Sequence, residues 1–244
     1  MCSVIILRRP GHAWPLMLAS NRDEMAGRPW RPPERHWDDH PHVRAGLDEK
    51  AGGTWLGLND DGVIAGVLNR VGTLGPKEGF RSRGELPMEA LSHGAATEAA
   101  EALRHLSPTA YRPFNMVLAD AFSAYWMKSD GHKIDVAAIP DGFSMLTAHD
   151  LNDTAASGRQ RLHLPRFRSA PVPEPEGDWF VWQALMASRD GETPRDGLCV
   201  VTDTGFGTSS SSLMALPLPP SDKKPVWLFC GGRPGEADYR PVAG

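Results

Sequence analysis

Apolar residues in this chain fall mainly in short runs broken by Gly, Pro and Asp, a spacing that predicts many strands and few helices. SVIILRR (3–9) and WPLMLAS (14–20) read as two strands joined through PGHA. GTWLGLN (53–59) and GVIAGVLNR (62–70) read as a second pair, with Asp61-Gly62 favouring the tight turn between them. RPWRPPERHWDDHPH (28–42) is rich in proline and polar groups and reads as a long surface loop. The period then lengthens. Over 84–106, Leu86, Met88, Leu91, Ala95, Ala99, Ala102, Leu103 and Leu106 approximate a helical stripe, with Pro87 suited to a first turn.

Strand signals return at FNMVLAD (114–120), SAYWMK (123–128), KIDVAAI (133–139) and GFSMLTA (142–148). A helix is expected from near Thr154, and another over Trp179–Ala187, where Trp179 and Trp182 share one face. LCVVT (198–202), GTSSSSLMAL (207–216) and PVWLFC (225–230) complete the strands. APVPEPEGD (170–178) is an exposed connection, but too few strands follow it to build a second core. The expectation is one domain over residues 1–244, of the α+β class, with four layers α-β-β-α to accommodate the pattern.

Composition narrows the function classes. Of 244 residues, 41% are hydrophobic, enough for a sizeable core. The 26 Lys and Arg against 30 Asp and Glu leave a net charge of −4 and no basic stripe, which argues against nucleic acid as a partner. RQRLHLPRFR (159–168) is the one basic cluster and reads as a solvated face. No apolar run approaches the roughly 20 residues of a membrane span, so an integral membrane protein is not expected. Val4–Leu7 is too short for a signal peptide, and Arg8-Arg9 follow it rather than precede it. Cys2, Cys199 and Cys230 give neither a disulfide framework nor a zinc spacing, and a cytoplasmic setting is expected.

The candidate chemistry starts at Cys2. If Met1 is removed, Cys2 carries a thiol and a free α-amine on one Cα, a nucleophile and a base without a histidine. Buried apolar surface beside Val4–Leu7 is the other reading of Cys2. If residues 10–13 form a hairpin, Asp23 lies near residue 2 and can orient the amine. Asn69, at the end of an adjacent strand, is a candidate oxyanion donor. Ordinary roles are open to both: Asp23 as a partner of Arg22, Arg28 or turn amides, and Asn69 as a strand-end cap. Arg22 and Glu24 point to the side of the strand opposite Asp23. Arg22 is then an ion-pair partner or the binder of an anionic substrate group. Two other stretches carry less. HWDDHPH offers His36, Asp38, Asp39, His40 and His42 at no standard metal spacing, so no metal or other cofactor is expected. The SSSS run (209–212) lacks a G-x-S-x-G elbow.

NRDE (21–24), GGTWLGLN (52–59), GVLNR (66–70), SRGELP (82–87), FNMVLAD (114–120) and FGTSSSS (206–212) occur in an order that resembles the NRDE family, which includes the transport and Golgi organisation proteins of eukaryotes. The N-terminal half is similar, more distantly, to the choloylglycine hydrolase and penicillin V acylase group. Those enzymes begin Met-Cys, place Asn-x-Asp after the second strand (here Asn21 and Asp23), and carry a hairpin matched by GLNDDGVIAGVLN (57–69). The resemblance implies the α-β-β-α fold of N-terminal nucleophile hydrolases and a nucleophile at Cys2, without by itself implying activity. Two departures stand out. Ala148 occupies the place of the group's second asparagine, so a second donor is absent or comes from His149, Asn152 or a backbone N–H. Ser209 stands where a late arginine is expected.

The candidate set is therefore Cys2, Asp23 and Asn69 for catalysis, with Asn21, Arg22, His149 and Asn152 near a substrate. One reading is a cysteine amidohydrolase acting on a non-peptide amide or acyl bond of a small molecule. The alternative is a non-catalytic carrier of a hydrophobic ligand, with haem or acyl-CoA implied by the resemblance. For haem, no C-x-x-C-H motif is present, and His12, His149 and Cys2 are candidate axial ligands and no more than that.

Overall fold

The computed structural model describes residues 2–243, so the expectation about Met1 concerns a residue outside that range. The chain divides into two units: one made of the described residues up to Gly27 together with those from Pro140 onward, the other of Arg28–Ile139.

The first unit is built on the hairpin of β1 (Ser3–Arg8) and β2 (Leu16–Met25). Its connection turns at Gly11, where φ is +81°, and is closed by the Arg9 amide donating to the Pro15 carbonyl at 2.8 Å. Glycine adopts that backbone without a Cβ penalty. Strand β10 (Gly142–Leu146) pairs with β1. On the other side follow β11 (Phe206–Leu216), β12 (Val226–Cys230) and β13 (Tyr239–Pro241), all antiparallel. Ile5, Leu7, Met17, Ala19, Met145 and Leu213 form one core with residues of two helices, α3 (Gly158–Ser169) and α4 (Phe180–Met186). Trp179 and Trp182 share that core as expected, with ring centroids 5.7 Å apart.

The second unit is a seven-stranded antiparallel sheet in chain order: β3 (Trp30–Glu34), β4 (Val43–Asp48), β5 (Leu56–Asn59), β6 (Ile64–Asn69), β7 (Phe114–Ala119), β8 (Ala124–Ser129) and β9 (Ile134–Ala138). Helices α1 (Glu85–Ala90) and α2 (Ala96–Leu103) contribute Leu86, Ala90, Ala99 and Leu103 to its core.

Several expectations need correction. The loop expected over 28–42 contains β3, an edge strand whose register with β4 slips between Arg31 and Glu34, around Pro32 and Pro33. An edge strand tolerates proline because one row of its N–H groups needs no partner. Strand β4 went unread because Gly46 interrupts its pattern; a Cβ there would lie 2.3 Å from the Trp55 ring. The single helix expected over 84–106 is two. Asn59 Nδ2 donates to the Leu91 and His93 carbonyls at 2.9 and 2.8 Å, tying off the end of α1, and Asp120 Oδ2 accepts from the Ala96 amide at the start of α2. Among the described residues LCVVT makes a single bridge, Val201 to Gly207, rather than the expected strand. The basic stretch 159–168 is not a solvated face. Arg159, Gln160, His163, Leu164 and Phe167 recur at helical spacing along the buried side of α3. The α+β class itself is as expected: two antiparallel sheets, each sharing a core with helices.

His163 makes this packing pH-dependent. Burial holds its pKa down at about 4 from an ordinary 6.5, although Nε2 lies 3.0 Å from the Asp196 carbonyl. Between those values the unfolded chain binds the additional proton, so the stability associated with neutral His163 is complete above pH 6.5 and falls as pH drops toward 4. The expected loss is about 3 kcal/mol. Urea unfolding at stepped pH checks it: the slope in this window should flatten in His163→Gln, and an unchanged slope contradicts the assignment.

Candidate active site

Strand alternation decides which groups share a face. Met17 and Ala19 of β2 point into the helix-packed core, so Asn21 and Asp23 follow them and Arg22 projects the other way. Ser3 lies across from Asn21, and the same register carried one residue back sets Cys2 across from Arg22. Cys2 and Arg22 therefore share a sheet face, while the Asp23 carboxylate lies on the opposite one. The Cys2 thiol reaches the Asp23 backbone, with Sγ 3.9 Å from its carbonyl oxygen.

The Asp23 carboxylate is buried in the middle of a sheet, where an anion persists only with partners. Thr208 Oγ1 donates to its Oδ1 at 2.7 Å, and Arg159 Nη1 of α3 donates to Oδ2 at 3.1 Å. The pair is almost fully excluded from solvent, with side-chain exposures of 4% and 0%. Arg159 Nη1 also donates to Ser3 Oγ at 2.6 Å, while its Nε and Nη2 donate to the Arg195 carbonyl. Thr208 Oγ1 in turn accepts from the Val200 amide at 2.8 Å. Three stretches distant in sequence thus converge on one carboxylate beside the residue that follows Cys2.

The expected site residues are placed as follows. Asn21 is buried, and its Nδ2 donates to the Met186 and Leu198 carbonyls at 2.9 Å each, joining β2 to the end of α4. Its Oδ1 is buried without a hydrogen-bond partner. Arg22 Nη1 donates to Ser209 Oγ at 3.1 Å, and that hydroxyl donates back to the Arg22 carbonyl at 3.2 Å. Ser209 sits where the β2–β11 register shifts between Thr208 and Ser210. The position expected to carry a late arginine instead steadies Arg22. Asn152 has φ +57°, and its side chain accepts from the Met145 amide and donates to Ser144 Oγ, closing the turn after β10. His149 lies in that turn, its amide donating to Thr147 Oγ1 at 3.2 Å. The β1–β10 register, carried past Val4 and Leu146, sets Ala148 across from Cys2. Asn69 belongs to the second unit, where it ends β6 opposite Phe114.

Burial pushes the Cys2 thiol above the ordinary thiol range. The charge of Asp23 pushes the same way, and that of Arg22 draws it back. Cys2 is then a neutral thiol near neutrality and needs a base before it can attack carbon. Arg159 and Thr208 were not among the expected residues. Arg159 was legible in principle, because an acid in the middle of a buried strand requires a cation and the 159–167 stretch has helical spacing. Among the described residues, no group of three or more His, Cys, Asp or Glu is arranged to hold a metal ion.

The fold is that of solved N-terminal nucleophile hydrolases. An N-acylethanolamine-hydrolyzing acid amidase ortholog from Caenorhabditis elegans superposes with a TM-score of 0.63 at 13% identity, covering 90% of this chain and 95% of that one. A variant of the conjugated bile acid hydrolase from Clostridium perfringens gives 0.58 at 13%, covering 98% and 92%. Penicillin V acylase from Agrobacterium tumefaciens gives 0.53 at 15%, covering 94% and 83%. At these identities the likeness speaks for the fold alone, the α-β-β-α class. Within that class, the chain belongs to the Transport and Golgi organisation 2 family, whose profile matches residues 1–164. It is 32% identical over 121 residues to the human Transport and Golgi organization protein 2 homolog, across 46% of this chain and 41% of that protein. The bovine homolog is 35% identical over 119 residues, across 45% and 40%. The match thus spans about two fifths of the length of these relatives.

Arg159→Met removes the guanidinium that donates to the buried Asp23 carboxylate and should cost about 3–5 kcal/mol of stability in urea unfolding. Adding Asp23→Asn removes the buried charge and should recover part of that loss. A cost under about 1 kcal/mol for Arg159→Met contradicts the pairing.

Proposed function

We propose that this chain is an N-terminal-cysteine hydrolase that cleaves an amide or related acyl bond of a small molecule. The observation that carries the reading is the Asp23 carboxylate, held by Arg159 and Thr208 on the strand beside Cys2. Neighbours of the same fold are named as an acid amidase, a hydrolase of conjugated bile acids and an acylase, which supports an acyl-transfer reaction.

Removal of Met1 gives Cys2 a free α-amine, whose ordinary pKa of about 7.7–8.0 leaves part of it unprotonated near neutrality. The amine takes the thiol proton, and the sulfur attacks the substrate carbonyl carbon, forming a C–S bond as the carbonyl oxygen becomes an oxyanion. Asp23 orients the resulting ammonium, and the oxyanion is stabilised by hydrogen-bond donors beside Cys2. The ammonium passes its proton to the departing amine as the C–N bond breaks. Water, deprotonated by the same amine, then cleaves the thioester and releases the acid. Arg22, on the Cys2 face, recognises an anionic group of the substrate. Asn152 has both ends of its amide engaged, so His149 is the side chain retained from the second-donor candidates. The proposed setting is the cytoplasm, consistent with three free cysteines.

The test is hydrolysis of a panel of N-acyl amino acids and N-acylethanolamines, followed by mass spectrometry. Cys2→Ala should abolish turnover, and Arg22→Gln should raise KM for the anionic members more than it lowers kcat. Turnover that survives in Cys2→Ala overturns the proposal. An inert panel combined with saturable binding of haem or acyl-CoA would favour the carrier reading.

A further inference from the structure

Register lines up one row of residues across the sheet of the first unit. Ala148 falls across from Cys2, Cys2 across from Arg22, and Arg22 across from Ser210 of β11. Thr208 pairs with Asp23 and Ser210 with Arg22, so Ser209 is the extra residue of a bulge between them. A bulge bends its strand and re-aims a side chain. Here it brings the Ser209 hydroxyl to the Arg22 guanidinium, on the face that Arg22 shares with Cys2.

The guanidinium is fixed from the β11 side. Nη1 donates to Ser209 Oγ at 3.1 Å, and the same hydroxyl donates to the Arg22 carbonyl at 3.2 Å. The side chain is thereby tied through the serine to its own backbone. The ion pair with Glu24 is longer, with Nη2 4.0 Å from Oε2, and Glu24 Oε1 accepts from the Met25 amide at 2.8 Å. Ser209 therefore sets the position of the charge more closely than the acid does. Arg22 is buried, with Cys2 and Ser209 half-buried on either side of it. Its charge reaches the sulfur, drawing the Cys2 thiol back down against the effect of burial. Adjacent strands lie about 4.8 Å apart, so an anion resting at the guanidinium lies roughly that far from a carbon under attack at Cys2.

We propose that Ser209 is a positioning residue: it holds the Arg22 guanidinium beside Cys2, so that the site favours molecules with an anionic group about one strand spacing from the carbon under attack. This deepens the hydrolase reading and rests on it, since it takes Cys2 as the nucleophile. An arginine at position 209 would set a second cation beside Arg22. A serine hydroxyl, neutral and able both to accept and to donate, fixes Arg22 without competing for the anion.

The test is alkylation of Cys2 in the full chain by iodoacetate and by iodoacetamide, each rate followed by peptide mass spectrometry at one pH and low salt. In both reactions the sulfur bonds to the CH₂ carbon and iodide leaves. The reagents differ in charge, so the ratio of the rates cancels the thiol's own reactivity and reports the cation beside it. Arg22→Gln and Ser209→Ala should each lower the iodoacetate-to-iodoacetamide ratio about threefold, the effect of one charge at roughly 6 Å in water. The double variant should lower it no further, because both changes remove one interaction. Ser209→Thr keeps the hydroxyl and should stay near the parent ratio, and added salt should narrow the differences. An unchanged or raised ratio in Ser209→Ala overturns the inference, even where its melting temperature falls. So does an equal loss in Ser209→Thr, which would assign the effect to the shape of the bulge. The ratio requires no turnover, so hydrolysis that survives in Cys2→Ala defeats the hydrolase reading without altering this result.

Discussion

A single carboxylate organises the first unit. Asp23 sits inside β2 with essentially no access to water, and an isolated anion there would be expelled or neutralised. It is held there by hydrogen bonds from Arg159 of α3 and Thr208 of β11. Each partner is itself fixed, Arg159 by Ser3 Oγ and the Arg195 carbonyl, Thr208 by the Val200 amide. Helix α3, strands β1, β2 and β11, and the segment before β11 are thereby committed to one arrangement. A pair of this kind contributes little net stability against a well-packed apolar substitute, but losing one partner is costly. Its value here is specificity of geometry. It holds β2 rigidly against β1, and so holds the backbone beside Cys2.

From that constraint the chemistry follows in order. Alternation along β2 sends the Asp23 carboxylate to the helix side and Arg22 to the side shared with Cys2. Burial and the nearby anion keep the thiol protonated, so a base is required, and the proposed base is the α-amine of Cys2 itself. The two departures from the choloylglycine-type pattern also acquire physical meaning. Ser209, in place of an arginine, bonds Arg22 in both directions. Ala148 leaves a small apolar side chain across from Cys2, and Asn152 spends its amide on the turn. Under the proposed hydrolase reading, a site altered in these ways selects a different acyl or amine group from those of the enzymes that share its fold.

Much of the architecture was legible in the sequence, because most strands are short apolar runs bounded by glycine, proline or Asp-Gly. The failures have specific causes. Strand β3 was hidden by prolines that an edge position permits, and β4 by Gly46, which makes room for the Trp55 ring. The long helix divides because Asn59 and Asp120, remote in sequence, satisfy the backbone groups at the break. Cys2, Asn21, Asp23 and Arg22 are legible as one strand pair, on which Cys2 and Arg22 share one face and Asn21 and Asp23 the other. Arg159 was passed over because an arginine-rich helix reads as solvated, and nothing local distinguishes the one arginine that turns inward from those that do not. Thr208 gave no signal at all: a threonine before a serine run shows its role only when β11 is laid against β2.

The central claim is that Cys2 is an activated N-terminal nucleophile. The most direct measurement is intact mass of the protein from its native cells, before and after brief alkylation from about pH 6 to 9, across the ordinary amine and thiol ranges. The account predicts a mass lacking Met1 and a single label on Cys2, added faster than to a free cysteine at the same pH because the freed α-amine takes the proton that burial otherwise keeps on the thiol. Retained Met1, or a Cys2 that labels no faster than a free thiol, would contradict it.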